Sequence, residues 1–216
     1  MNQALEVYTR LDAISPEHIQ FLDERNPFRF LISVILSAQT TDRIVNIVTK
    51  DLFAKYPDAP SLATASIKDV EEIIYPTGFY RNKAKNIIAC SAALGDDEVP
   101  STMEELIQLP GVGRKSASCV LGDIYNKPAI IVDTHFGRVV QRLGITSEKN
   151  PEAIERDVSV ALDPTYHYRF SMIVNLFGRT TCHAKRPECE TCLLNDICPS
   201  AAFFLEKYAK EKKKSP

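Results

Sequence analysis

The chain has 216 residues, of which 44% are hydrophobic and 25% charged, enough for one large or two small globular domains with a sizeable core. No apolar run reaches the length of a membrane span, and residues 1–12 show neither a signal-peptide nor a transit pattern, so the expected compartment is the cytoplasm, without a membrane partner. The net charge of −2, from 26 basic and 28 acidic side chains, argues weakly against nucleic acid as a partner but does not exclude it, because a local basic patch suffices for phosphate contacts.

In chain order the sequence reads as nearly all helix. Ser15-Pro16-Glu17, Asn26-Pro27 and Asn150-Pro151-Glu152 each put a capping residue before a proline suited to the first helical position. Ser101 through Glu104 reads as a capping box, and Gly95 and Gly144 sit where helices end. The pattern predicts helices at about 16–24, 27–37, 41–55, 67–74, 80–94, 101–108, 113–125, 134–143, 151–161 and 166–178. Phe28 to Leu36 is apolar almost all round and predicts a buried central helix. Ala129-Ile130-Ile131-Val132 has the composition of a strand but no visible pairing partner, so it reads as a buried connection. The fold class is therefore all-α. The basic tail, with Lys207, Lys210, Lys212, Lys213 and Lys214, reads as a solvated, frayed terminus.

Leu109-Pro110-Gly111-Val112-Gly113-Arg114-Lys115 joins two predicted helices. Pro110 closes the first. Gly111 and Gly113 allow positive φ angles and close approach of another backbone, and Val112 between them can tuck into the core. The second helix then begins with its free N–H groups and positive dipole end pointing outward, a setting suited to a phosphate. Lys115 stands at that helix start. Lysine is the side chain that forms Schiff bases with carbonyl carbons once deprotonated, a state that helix N-termini and partial burial both favour. Eighteen residues on, Asp133 lies in Val132-Asp133-Thr134-His135, between an apolar stretch and a helix; alone it reads as an N-cap. His135 caps or packs, and Gly137 is an unexplained helix residue.

Four of the six cysteines, Cys182, Cys189, Cys192 and Cys198, follow a long predicted helix with spacing C-x6-C-x2-C-x5-C, whereas Cys90 and Cys119 stand alone. In a cytosolic chain such a cluster reads as metal binding rather than disulfides. Four soft thiolates select zinc or iron–sulfur, and zinc ribbons generally use two separated short pairs, where this loop has only one. Lys185 and Arg186, inside the first interval, and Thr180 and Lys207 nearby are candidates to meet phosphates or simply to face solvent.

Three blocks, Leu109–Arg138, Leu36–Asp42 and Cys182–Cys198, together resemble the endonuclease III family of helix-hairpin-helix DNA glycosylases and AP lyases, and the likeness extends from about Leu31 to Cys198. The resemblance implies two helical lobes with a DNA cleft between them and a C-terminal iron–sulfur loop. One lobe is a six-helix domain at 22–127 with the hairpin, and the other joins 1–21 to 128–216. It implies that Lys115 is the nucleophile and Asp133 the essential carboxylate, that Gly111, Val112, Gly113 and Arg114 grip DNA, and that the four cysteines hold a [4Fe–4S] cluster. In Leu36-Ser37-Ala38-Gln39-Thr40-Thr41-Asp42, Gln39 matches the glutamine that enters the duplex where a base has been extruded. In Gly78-Phe79-Tyr80, Phe79 takes the place of the leucine frequent in the family's second wedge, a departure that still permits stacking.

The implied activity is a bifunctional N-glycosylase and AP lyase of base excision repair, removing oxidised pyrimidines and cutting 3′ to the abasic site by β-elimination. The implied partner is double-stranded DNA with a damaged base or an abasic site, met by a monomer, nucleoid-associated if the source is prokaryotic. Monofunctional relatives acting on mismatched adenine or thymine lack a lysine at this hairpin position. A purely DNA-binding or electron-transfer protein would need neither Lys115 nor Asp133.

Overall fold

The computed structural model describes residues 2–96 and 98–212; Lys213 and Lys214 of the basic tail lie outside them. Among the described residues there are twelve α-helices and two short 3-10 turns, with no strand. The chain forms two compact units. One is Gln20–Lys127, and the other joins the N-terminal segment up to Ile19 to the chain from Pro128 onward.

The unit of Gln20–Lys127 holds α2 (Pro27–Leu36), α3 (Asp42–Lys55), α4 (Ala59–Ala63), α5 (Ile67–Ile74), α6 (Tyr80–Leu94), α7 (Met103–Leu106) and α8 (Arg114–Asp123). Asn26 caps α2 by accepting from Arg29 N, and Pro27 occupies the first turn, where its missing N–H costs nothing. Phe30 through Leu36 are all buried, so α2 is the central helix the apolar run predicts, packed by α3, α6 and α8. Its one buried hydroxyl, Ser33, donates back to Arg29 O at 2.8 Å.

The second unit contains α1 (Gln3–Asp12), α9 (Thr134–Arg142), α10 (Pro151–Ala161), α11 (His167–Thr180) and α12 (Ala201–Lys212). Its core gathers Val7, Leu11, Phe136, Val140, Ile154, Phe170 and Ile173, with the rings of Phe136 and Phe170 edge to face at 5.9 Å. Ala129, Ile130 and Ile131 are buried without forming a strand, and Ile131 N donates to Ser171 Oγ at 2.9 Å. That side-chain bond replaces a ladder partner.

Three expectations are corrected. No helix forms at 16–24. Its backbone groups are taken by side chains instead: Glu17 O accepts from Arg169 at 2.9 Å, Phe21 O from Asn46 at 3.0 Å, and Asp23 N donates to Asn46 at 3.1 Å. The expected capping box is a simple cap one residue on: Thr102 accepts from Glu105 N at 3.3 Å, and its hydroxyl, not its backbone N–H, meets Glu105 Oε2 at 2.6 Å. The tail is a helix through Lys212, anchored by Tyr208, which is buried and donates to Pro187 O at 2.9 Å.

Candidate functional site

In the hairpin, Gly111 takes φ +80°, and a Cβ there would lie 2.8 Å from Asn86 Cβ, so the turn requires glycine twice over. Val112 is 6% exposed and locks the turn into the core, donating to Leu109 O at 3.1 Å. Gly113 differs from expectation. Its φ is −95°, ordinary extended backbone, and a Cβ would meet nothing within 4 Å. Gly113 is the N-cap of α8, and no side chain caps that helix. A glycine cap brings no acceptor of its own to the helix start, a setting suited to an anion. Arg114 and Lys115 open the helix, both exposed, so the partial burial expected of Lys115 is not found.

Gln39 and Phe79 belong to the same unit, and both have left-handed backbone, with φ +54° and +49°. Asn126 is the only other non-glycine residue so placed among those described. Both are exposed, Phe79 at 63%. Left-handed backbone at a bulky residue costs about 1–3 kcal/mol and persists where surrounding structure over-determines it. At Phe79 one restraint is visible. Lys83, only 5% exposed, reaches back to donate to Thr77 O at 2.8 Å. Burial lowers its ammonium to about 8. Nothing in the sequence pattern singled Lys83 out.

Asp133 is half-buried and caps α9. Its Oδ1 accepts from His135 N at 2.9 Å and Phe136 N at 2.7 Å. Its Oδ2 accepts from Asn175 Nδ2 at 2.5 Å, and Asn175 Oδ1 accepts from Arg179 Nε at 2.7 Å. Asn175 and Arg179 lie one turn apart on α11. Gly178 lets that helix approach closely, since a Cβ there would be 3.1 Å from His135 Cβ and Val139 Cγ2.

The four C-terminal cysteines line one pocket with Phe177, Leu194 and Arg142. Cys182, Cys192 and Cys198 pack on the core of their unit. Burial raises the thiols of Cys192 and Cys198, and burial together with the neighbouring cysteines raises Cys189 to about 11. Mutually repelling thiolates of this kind fit a polynuclear cationic centre. No three His, Cys, Asp or Glu side chains among the described residues converge as one bound ion would need. Two α9 arginines, overlooked in the sequence because they lie outside the loop, pin its first residues. Arg138 donates to Gly178 O at 2.8 Å and Cys182 O at 3.0 Å. Arg142 donates to Cys182 Sγ at 3.3 Å, His183 O at 2.7 Å and Ala184 O at 2.8 Å, and lies 4.7 Å over the Phe204 ring. Lys185 and Arg186 are exposed, with Arg186 over Tyr208 at 5.2 Å; Thr180 and Lys207 are exposed as well.

The sequence matches the HhH-GPD superfamily base excision DNA repair protein family over residues 32–164 and the iron-sulfur binding domain of endonuclease III over residues 182–198. The endonuclease III of a Synechocystis species is 44% identical over 203 residues, spanning 92% of this chain and 93% of that protein. The chain belongs to the endonuclease III family. Its all-α architecture agrees with two solved structures, each at TM-score 0.90 and 36% identity. A non-covalent endonuclease III–DNA complex covers 94% of this chain and 97% of its own, and a trapped covalent endonuclease III–DNA intermediate covers 95% and 99%. As an endonuclease III family member, the chain is a base excision repair glycosylase of the DNA glycosylase/AP lyase class and carries a [4Fe–4S] cluster. None of its described helices is long and apolar enough to cross a membrane.

Proposed function

We propose that this protein binds double-stranded DNA containing an oxidised pyrimidine or an abasic site, removes the base, and cuts the strand on the 3′ side by β-elimination. The observation that carries the reading is Lys115, exposed at the head of a helix whose N-cap is a glycine. A phosphate taken by the first N–H groups of that helix would set its deoxyribose beside the Lys115 amine. The segment 22–127 would be the DNA-gripping domain, with Gly111, Val112, Gly113 and Arg114 at the phosphate. Gln39 and Phe79 would fill the space of the extruded nucleotide. The segments 1–21 and 128–216 would form the cluster domain, and the protein would work as a monomer.

In the proposed chemistry the neutral amine of Lys115 attacks C1′, and the C1′–N bond breaks as the base leaves with its electron pair and takes up a proton. Asp133 stabilises the positive charge developing on the sugar. Ring opening gives an imine between Nζ and C1′. Loss of a C2′ proton then expels the 3′ phosphate, and water releases the amine. Cys182, Cys189, Cys192 and Cys198 would hold the cluster. Bound there, it supplies iron–thiolate bonds that brace the loop.

Borohydride trapping tests the reading. Duplexes containing thymine glycol or an abasic site should yield a covalent adduct that peptide mapping places on Lys115, while undamaged duplex yields none. Strand cleavage without an adduct, or an adduct on another amine, would overturn it. Equal excision of a mismatched adenine would overturn the substrate assignment.

A further inference from the structure

Asn175 stands among Val174, Leu176 and Phe177 on α11 and is itself only 7% exposed. A buried amide in such a setting costs stability unless its donors and acceptor are met. Here they are met in one direction. Its N–H donates to Asp133 Oδ2 at 2.5 Å, and its carbonyl accepts from Arg179 Nε at 2.7 Å. The other carboxylate oxygen of Asp133 is already fixed by two backbone N–H groups. Rotation about the Cβ–Cγ bond, a broad and soft torsion, moves both oxygens together, and a carboxylate held at one corner alone keeps part of that freedom. The amide of Asn175 closes that freedom. The guanidinium on its far side polarises it, which strengthens the bond to the carboxylate. The close approach at Gly178 is what brings α11 within reach.

We infer that Asn175, backed by Arg179, is a positioning residue that holds the Asp133 carboxylate in its working orientation during base excision. The inference rests on the role proposed above for Asp133. Asn175 touches no reacting atom and acts only through that carboxylate.

The test compares single-turnover excision of thymine glycol with affinity for a duplex carrying an uncleavable abasic analogue. Asn175→Leu should lower the excision rate about 10- to 100-fold, the range set by one charge-assisted hydrogen bond, while affinity stays at the wild-type level. Asn175→Asp keeps the size of the side chain and the Arg179 partner, so it serves if the leucine variant folds poorly; it faces Asp133 with an acceptor and should slow excision at least as much. In an Asp133→Asn background, Asn175→Leu should cause no further loss. Wild-type excision by Asn175→Leu or Asn175→Asp, beside a slow Asp133→Asn, would overturn the inference and leave the role of Asp133 standing. Equal losses of rate and affinity, or full additivity with Asp133→Asn, would make Asn175 a packing residue and overturn it too. Wild-type excision by Asp133→Asn would instead refute the role on which the inference rests.

Discussion

Two helix starts twenty residues apart solve the same problem in opposite ways. At α8 the cap is Gly113, which has no side chain to offer the first N–H groups. At α9 the cap is Asp133, whose Oδ1 meets two of them. Both turns follow apolar segments, and either position would accept a Ser, Thr, Asn or Asp cap. Such a cap generally contributes about 0.5–2 kcal/mol. A glycine at α8 adds no acceptor of its own at the helix start. The presence of one at α9 immobilises a carboxylate that would otherwise be a mobile surface charge. Under the proposed function the first start receives an anion and the second supplies one.

The largest test of that contrast is Lys115→Gln. If α8 receives the phosphate and Lys115 only uses the resulting placement, the variant should lose borohydride trapping and strand cleavage to background. Its affinity for an abasic-analogue duplex should change little. Loss of affinity in step with trapping would make Lys115 a phosphate contact and erase the distinction between backbone grip and side-chain chemistry.

Asp133→Asn comes next. Asparagine caps helices as well as aspartate does, so α9 should persist. The charge is lost, and removing one preorganised electrostatic contact at a reacting centre costs about 10²–10³ in rate. A melting temperature near wild type with excision reduced by that factor separates the two uses of the residue. Unchanged excision would leave Asp133 as a cap alone.

The two hairpin glycines divide the backbone's own needs from those of a ligand. Gly111→Ala meets Asn86 and a left-handed φ, and should lower stability by about 1–3 kcal/mol in urea unfolding. Gly113→Ala meets nothing within the chain and has an ordinary φ. It should unfold like wild type, yet bind damaged duplex several-fold more weakly if a phosphate approaches that backbone. Wild-type binding by Gly113→Ala would place the phosphate elsewhere.

What could be read from the sequence follows from how local each cause is. The hairpin and the proline-marked starts of α2 and α10 depend on neighbours within one turn, and the helix at Ile67–Ile74 has the predicted bounds because its apolar spacing is regular. The contacts that define the Asp133 environment are different in kind. Asn175 looks like a poor helix residue until the register of α11 against α9 is known, and nothing in the sequence sets that register. Arg138 and Arg142 read as ordinary surface cations for the same reason. The error at 16–24 has the mirror cause. Ser15-Pro16-Glu17 carries a local helix-start pattern that the structure does not follow, because Arg169 and Asn46, distant in sequence, take up backbone groups of that segment. In the tail, lysines masked Tyr208, whose burial makes α12 part of its unit rather than a frayed end.

The smallest expected effect concerns another helix start without a side-chain cap, that of α6, whose cap Phe79 has a left-handed backbone. Lys83 holds the preceding turn through Thr77 O from a buried position that lowers its ammonium to about 8, against 10.5 for an unhindered lysine. Below about pH 8 both folded and unfolded chains carry that proton, and it contributes no slope. Between about 8 and 10.5 the unfolded chain retains the proton and the folded chain does not. Stability must therefore rise with pH across that window, by at most about 1.4 kcal/mol per pH unit. Other groups titrate there as well, so the measurement is a difference. Urea unfolding of wild type and Lys83→Met across the window should show the steeper rise in wild type. Parallel curves would mean that the ammonium finds water or a counter-charge in the folded protein. The left-handed turn at Phe79 would then have to be held by packing around Gly78 and Tyr80 rather than by a buried amine.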